Sequence, residues 1–327
     1  MIDPATLPAE LKAALHRLAE GRSRRTMAPR AAALSATYRG GGASTGIADG
    51  DDALAYAFAR MPATFAAVAA CLAEIARLRP DFAPMSLLDA GAGPGTATWA
   101  AAETFPPLAG FTQLDANPAL RALAADLARG APRFAALRQL SGDVRQALAS
   151  ADDADLVIAS YLVAELPAAD LGPVADALWR KTRDTLLVVE PGTPAGYARI
   201  IALRSRLIAA GAHVVAPCPH DRPCPLAPPD WCHFTQRLAR SRDHKQVKGV
   251  DAPFEDEKFA YVALTRAPAP RPSARVLAQP LVGKVEVAAK LCTADGRAAI
   301  EKTPRRDKAA YARARRWNWG DAVAADD

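Results

Sequence analysis

The sequence contains no unbroken run of about eighteen apolar residues, the length a helix needs to cross a bilayer. Its nearest approach, Ala63 to Ile75, is short and ends in charge, so no membrane is expected as a partner. The first residues, Met1-Ile2-Asp3-Pro4, offer neither a basic start nor an apolar signal core, and a cytosolic address is the expectation. Cysteine is scarce, at five in 327 residues. In a cytosolic protein disulfides are not the default, which leaves metal ligation or catalysis as the role for clustered thiols. No internal repeat is present. Half of the residues are hydrophobic and 23% are charged, a globular composition and not a disordered one. The length suits one large domain with a smaller appendage.

The chain divides by pattern into three stretches. Residues 1–84 read as an N-terminal helical region. Leu7 to Ala19 puts Leu11, Ala14, Leu15 and Leu18 on one helical face, Arg22 to Arg30 is basic and broken by a proline, and Gly40 to Gly50 reads as a loop. Asp51 to Leu78 reads as one or two Ala-rich helices with Pro62 at a start or kink. Residues 85–266 alternate short apolar runs with helical stretches, as a parallel sheet covered by helices on both faces requires. Strands are expected at Ser86 to Ala90, Gly110 to Asp115, Leu137 to Gly142, Leu156 to Ser160, Thr185 to Glu190, His213 to Pro217 and Phe259 to Thr265. A cysteine-, proline- and arginine-rich insertion, 213–249, interrupts this plan. Residues 267–327 open on the Pro-rich linker Ala267 to Pro272 and read as a small β-rich module, with strands at Arg275 to Leu277, Lys284 to Leu291 and Arg297 to Glu301, and a basic tail that is loose until bound.

The glycine-rich turn Asp89-Ala90-Gly91-Ala92-Gly93-Pro94-Gly95 follows the first expected strand. Such a turn is needed where backbone must approach a nucleotide closely and feed a helix N-terminus. The second strand ends in Asp115, followed by Asn117, where a carboxylate can accept ribose hydroxyls. The third leads to Asp143-Val144, placed to accept from an adenine amino group, and the fourth ends at Ser160-Tyr161. That order is the order of class I S-adenosylmethionine (SAM) methyltransferases. The fold class expected is therefore α/β, a Rossmann-like SAM-methyltransferase sheet with N-terminal helices, a metal-binding insertion and a β-rich C-terminal module. Gly91, Gly93 and Gly95 do not have the spacing of the dinucleotide fingerprint of oxidoreductases. The competing reading of Asp115 and Asp143 is that they cap helices or turns. Enzymes that methylate nucleic-acid amines place a polar-Pro-Pro-aromatic run after the fourth strand. Here that position, from Ala159 to Pro167, has none, and no catalytic base or nucleophile can be assigned.

Cys218, Cys224 and Cys232 lie close together, and Cys292 follows in the β-rich module. Four thiolates can hold tetrahedral zinc or a four-iron, four-sulfur (4Fe-4S) cluster. A zinc knuckle pairs its cysteines about two to four residues apart. The longer gaps here, stiffened by Pro217, Pro219, Pro223 and Pro225, favour a loop wrapped round the larger object, an iron–sulfur cluster that would lock the C-terminal module to the core. His220 and His233 are spare ligands, and Cys71 reads as a buried small hydrophobe. A further reading makes Cys218 a covalent nucleophile for pyrimidine methylation.

With these pieces in hand the chain resembles the methyltransferase-like small-ribosomal-subunit proteins of bacteria and mitochondria. The resemblance is carried by Tyr56-Ala57-Phe58-Ala59-Arg60-Met61-Pro62-Ala63-Thr64, by Leu88 to Thr96, by Glu190-Pro191-Gly192-Thr193-Pro194-Ala195-Gly196, by the cysteine loop, and by Glu255-Asp256-Glu257-Lys258-Phe259-Ala260-Tyr261. It implies a SAM-type core, a 4Fe-4S cluster on Cys218, Cys224, Cys232 and Cys292, and work on the small ribosomal subunit and its RNA, as an assembly factor or an rRNA methyltransferase. A monomer is expected.

Contact with RNA has separate support. The net charge is +6, with basic residues gathered in Arg237, Arg240, Arg242, Lys245 and Lys248, and in Arg305, Arg306, Lys308, Arg313, Arg315 and Arg316. Trp317 and Trp319 are placed to stack on unpaired bases. A solvated helix face is the competing reading for each run. The competing function is a small-molecule SAM-dependent methyltransferase with a structural zinc site.

Overall fold

A computed structural model describes residues 6–39 and 46–324. Most of the expected Gly40 to Gly50 loop, the residues Met1 to Pro4 and the last three residues of the tail lie outside the described residues. Three helices come first, α1 (Ala9–Leu18), α2 (Arg24–Arg39) and α3 (Gly50–Leu78). Leu11, Ala14 and Leu15 of α1 are buried, as the spacing requires. The stretch Arg22 to Arg30 is not broken by its proline, since Pro29 lies inside α2. Asp49 caps α3 by accepting from the Asp52 N–H at 2.8 Å, and the 29-residue helix runs unbroken through Pro62. With a mean hydropathy of 1.4 over its most apolar window, α3 is long and apolar enough to cross a membrane. It is instead the central helix of the core, because its small residues let it bury Ala57, Met61, Phe65, Val68, Leu72 and Ile75 against the sheet and neighbouring helices.

The sheet that follows is built from β1 (Ser86–Ala90), α4 (Thr96–Thr104), β2 (Gly110–Asp115), α5 (Pro118–Ala128), β3 (Arg138–Ser141), α6 (Val144–Ala147), β4 (Ala154–Ser160), α7 (Leu171–Lys181), β5 (Thr182–Pro191), α8 (Pro194–Ala209) and β6 (His213–Ala216). After the cysteine loop come β7 (Phe234–Ala239), α9 (Arg242–Lys248) and β8 (Phe254–Thr265). The strand order is β3-β2-β1-β4-β5-β8-β6. Strands β1 to β5 pair in parallel, and β8 enters antiparallel between β5 and β6. A mixed α/β sheet in this order is the class I methyltransferase arrangement, and its apolar runs are buried on both faces.

The largest departures from expectation in this sheet are at two strands, while β3 to β6 differ from their expected bounds by one to three residues. β8 begins five residues before the expected Phe259, and its extra length pairs with β7, from Phe234↔Phe259 to Ala239↔Phe254. Part of the cysteine-rich insertion is thus a strand of the main sheet. A second, five-stranded sheet holds β9 (Ala274–Val276), β10 (Leu281–Val282), β11 (Glu286–Thr293), β12 (Ala298–Pro304) and β13 (Ala322–Val323), with α10 (Lys308–Ala314) between the last two. The tail is therefore not loose: β13 pairs with β9, and Asp307 caps α10 by accepting from the Ala310 N–H at 3.1 Å.

Candidate functional site

Because β3, β2, β1 and β4 are parallel neighbours, their carboxyl ends open on one edge of the sheet, where ligands of doubly wound folds sit. Asp143, Asp115, the glycine turn and Ser160-Tyr161 stand there in a row. The turn is shaped by left-handed backbone at Gly91, Gly93 and Gly95, with φ of 70°, 54° and 82°. Leu114 O accepts from the N–H groups of Gly91 (2.8 Å) and Ala92 (3.0 Å), which pulls the turn over the end of β2.

The three glycines are needed for different reasons. A Cβ on Gly91 would lie 2.8 Å from Leu162, and one on Gly95 would lie 2.5 Å from the Gln113 amide, so both positions are closed by the protein's own side chains. A Cβ on Gly93 would meet only Leu120, at 4.0 Å. Gly93 is thus the glycine that borders open space, the place in a nucleotide cradle where a ligand approaches the backbone.

Asp89 is fully buried, and its Oδ2 accepts from the Thr98 N–H (2.9 Å) and hydroxyl (2.7 Å), anchoring α4. Its Oδ1 has no partner, and burial pushes the carboxyl up to about 7 against the pull of Thr98. Asp115 accepts from the Gly93 N–H at 2.7 Å and the Asn117 N–H at 2.8 Å, so its carboxylate braces the cradle. Burial raises its pKa, and those two N–H groups oppose the rise. Asn117 caps α5 through the N–H groups of Ala119 and Leu120, and its Nδ2 donates to Ile47 O at 2.9 Å, tying the cradle to the N-terminal helices. Asp143 caps α6, whose first residue is the buried Val144, and pairs with Arg145, which holds the carboxyl below its usual range. Ser160 is half-buried at the end of β4. Tyr161 has φ of 58°, the one non-glycine positive φ among the described residues, and its hydroxyl donates to Glu257 Oε1 at 2.8 Å. The same oxygen accepts from Arg60 at 3.3 Å, so two of the resemblance motifs, Tyr56 to Thr64 and Glu255 to Tyr261, meet at the end of β4. A third motif packs backbone on backbone: a Cβ on Gly192 would lie 2.7 Å from the β8 main chain.

Sequence reasoning did not single out Glu190 as a site residue. It is fully buried at the end of β5, accepts from the Val163 N–H at 3.0 Å, and leaves Oε2 unpartnered. Burial pushes it up to about 8. The signal was an acid closing an otherwise apolar strand.

A second site lies on the far side of β8. Cys218, Cys224, Cys232 and Cys292 all line one cavity. No group of three or more His, Cys, Asp or Glu side chains converges on a single-ion position among the described residues. The Tyr197 hydroxyl is 3.1 Å from Cys224 Sγ, and His220 Nε2 is 3.5 Å from Cys292 Sγ. Burial raises the Cys218 thiol, opposed by Arg204 and Arg275, and pushes Cys292 up to about 12. His233 stacks on Trp231 with ring centres 5.0 Å apart. Cys71 is buried within α3.

Three of the five residues of the first basic run are committed internally. Arg240 (3.2 Å), His244 (3.3 Å) and Lys248 (2.5 Å) all surround Glu255, and Arg237 pairs with Asp256. Arg242 and Lys245 have no ion pair among the described residues, nor do the exposed Arg306, Lys308, Arg315 and Arg316 of the tail. The tryptophans expected to stack on bases are engaged within the protein. Trp319 donates to His233 O at 2.9 Å, and Trp317 packs on the core of the second sheet.

The family described as mitochondrial small ribosomal subunit Rsm22 matches residues 50–324. The chain belongs to the Rsm22 family. It is 32% identical over 288 residues to the human ribosome assembly protein METTL17, mitochondrial, covering 83% of this chain and 62% of the relative. It is 26% identical over 319 residues to the Rsm22-cox11 tandem protein 2, mitochondrial, of Schizosaccharomyces pombe, covering 82% of this chain and 42% of the relative. The chain thus spans less than two thirds of each of these relatives. Among solved structures it is similar to the magnesium protoporphyrin IX methyltransferase of Synechocystis, at 12% identity and TM-score 0.41, covering 61% of this chain and 81% of that one. It is also similar to the precorrin-6y C5,15-methyltransferase of Geobacter metallireducens, at 14% identity and TM-score 0.41, covering 61% and 86%. The fold assignment rests on strand order and not on these likenesses.

The cytosolic expectation is overturned. Both relatives and the Rsm22 family carry mitochondrial names, which point to mitochondria and away from the cytosol. The expectation rested on a few N-terminal residues, whose composition does not fix a compartment.

Proposed function

We propose that this Rsm22-family chain is a SAM-binding, cluster-carrying protein that acts on the small ribosomal subunit or its RNA during assembly. The observation that carries the reading is the convergence of four cysteines, from the end of β6, the loop after it and β11, on one cavity. Four thiols that line one cavity without meeting at a single-ion position suit a 4Fe-4S cluster better than one zinc. The ligands would be Cys218, Cys224, Cys232 and Cys292, and the cluster would supply folding energy that ties β11 to the main sheet. The open flank of Gly93, the braced Asp115 and the unpartnered Oδ1 of Asp89 are features that SAM would fill at the sheet edge. Asn117, Asp143, Val144, Ser160 and Tyr161 would line the remainder of that crevice. The ribosomal role is supported by membership of the Rsm22 family and by the name of the human relative.

Arg242 and Lys245 of the first run and Arg306, Lys308, Arg315 and Arg316 of the second are among the cations free to meet RNA phosphates. Assembly fits better than methyl transfer, because Leu162 packs over Gly91 and the Tyr161 hydroxyl is committed to Glu257, so neither of the two residues directly after β4 is a free base. Deleting the gene and profiling ribosomal particles on sucrose gradients tests this. The expected result is a deficit of mature small subunits with an unchanged small-subunit RNA methylation map. A normal ratio of subunits would sink the assembly reading, and a lost methyl group would restore catalysis.

A further inference from the structure

The cysteine cavity has two walls that the cysteines do not supply. Arg204, on α8, and Arg275, on β9, are 1% and 2% exposed, and both line it. Burying a guanidinium is costly unless its N–H groups and its charge find partners. Most of these N–H groups do. Arg204 donates through Nη2 to the carbonyl oxygens of His220 (2.7 Å) and Arg222 (3.0 Å). Arg275 donates through Nε to Pro217 O (2.8 Å) and through Nη1 to Gly320 O (2.9 Å). Two nitrogens are left over. Arg204 Nε and Arg275 Nη2 are buried with no hydrogen-bond partner. A pair of orphaned cationic donors lining one cavity marks a missing acceptor.

The charge balance points the same way. Glu74 pairs with Arg275 at 2.6 Å and also with Arg77 at 2.8 Å, while Arg204 has no ion-pair partner among the described residues. Arg204 is thus a buried cation with no carboxylate of its own, and Arg275 shares its carboxylate with Arg77. Four thiolates round a core of about +2 carry about −2, and these buried guanidiniums would face that negative charge.

We infer that Arg204 and Arg275 are the built-in counter-charge of the thiolate-bound group, donating their free N–H groups to its sulfurs and raising its reduction potential. The inference rests on the cluster reading above. The Tyr197 hydroxyl, 3.1 Å from Cys224 Sγ, is a third donor to the same cage. Each donor favours the more negative, reduced state of the group over the oxidised one, as hydrogen bonds and positive charge near cluster sulfurs do in general. These residues position and tune; they do not ligate.

The test begins with iron and sulfide analysis of the full chain purified without oxygen. A protein with neither overturns the cluster reading itself. With the cluster present, redox titration followed by electron paramagnetic resonance compares the parent with Arg204→Gln and Arg204→Lys. Arg204→Gln is expected to lower the equilibrium constant for one-electron reduction about tenfold, a fall of about 59 mV. Arg204→Lys keeps the charge and is expected to fall less. A cluster-loaded Arg204→Gln protein that titrates with the parent overturns the inference. Should Arg204→Gln fail to fold, the parent labelled with ¹⁵N-arginine decides. Pulsed resonance on its reduced cluster is expected to show weak arginine-nitrogen coupling, and a spectrum without that coupling overturns the inference.

Discussion

Adding one methyl group at Gly93 or at Gly95 separates the cradle as a ligand site from the cradle as a structural turn. Both glycines have left-handed backbone, which costs an alanine about 1–2 kcal/mol. At Gly95 a second cost is added. The new Cβ would lie 2.5 Å from Gln113 Nε2, which donates to Thr98 Oγ1 at 3.0 Å, and Thr98 in turn holds Asp89. Displacing that buried amide costs about 1–3 kcal/mol more. Gly95→Ala is therefore expected to lose about 2–5 kcal/mol, a large part of the roughly 5–15 kcal/mol that holds a domain folded. Gly93→Ala meets only Leu120 at 4.0 Å and pays the backbone strain alone. Its methyl would instead occupy the open flank, so SAM affinity should fall about tenfold or more, at least 1.4 kcal/mol. Urea denaturation and calorimetric titration with SAM measure the two quantities. A Gly93→Ala protein that binds SAM as the parent does would refute the assignment of Gly93 to the ligand, and an undiminished midpoint for Gly95→Ala would refute the steric reasoning.

Three further outcomes follow from the same geometry. Glu190, raised to about 8 by burial, contributes its stability below the unfolded value of 4.5 and loses it as pH rises toward 8. Glu190→Gln cannot ionise, so the gap between its denaturation midpoint and the parent's should widen in its favour from about pH 5 to 8, and parallel pH profiles would contradict this. Tyr161→Phe removes the hydroxyl bound to Glu257 and should cost about 1.5–3 kcal/mol by denaturant titration, with a loss below about 0.5 kcal/mol arguing against that bond. Asn117→Ala removes the α5 cap and should cost about 0.5–2 kcal/mol, while hydrogen exchange quickens in α5; an unchanged exchange rate there would argue against the cap.

The sheet was legible where burial is two-sided. Apolar runs such as Leu87-Leu88 and Val157-Ile158 can only be interior strands, and β1 and β2 begin and end where the sequence places them. β7 escaped notice because Thr235, Gln236 and Arg237 sit between Phe234 and Leu238 and mask a half-buried alternation. The pairing that makes it a strand comes from β8, far along the chain. The tail misled for a related reason. Its charge suggested disorder, yet Ala314, Trp317 and Val323 supply enough apolar contact to dock it on the second sheet. Charge runs were the least informative signal, since the acids that neutralise Arg240 and Lys248 are not their helix neighbours but a residue of β8, Glu255. The glycine turn was legible as a turn. That Gly93 alone borders open space required coordinates, as did the two arginines behind the cysteines, which in sequence are indistinguishable from surface residues of α8 and β9.

The cysteine cage is where the proposed function is most exposed to test. Iron, sulfide and zinc are to be measured per chain after anaerobic purification, with the Cys218→Ser, Cys224→Ser, Cys232→Ser and Cys292→Ser proteins treated alike. The expected result is about four iron and about four sulfide in the parent, lost in each variant. About one zinc and no sulfide, or iron and sulfide retained at the parent's level in all four variants, would contradict it.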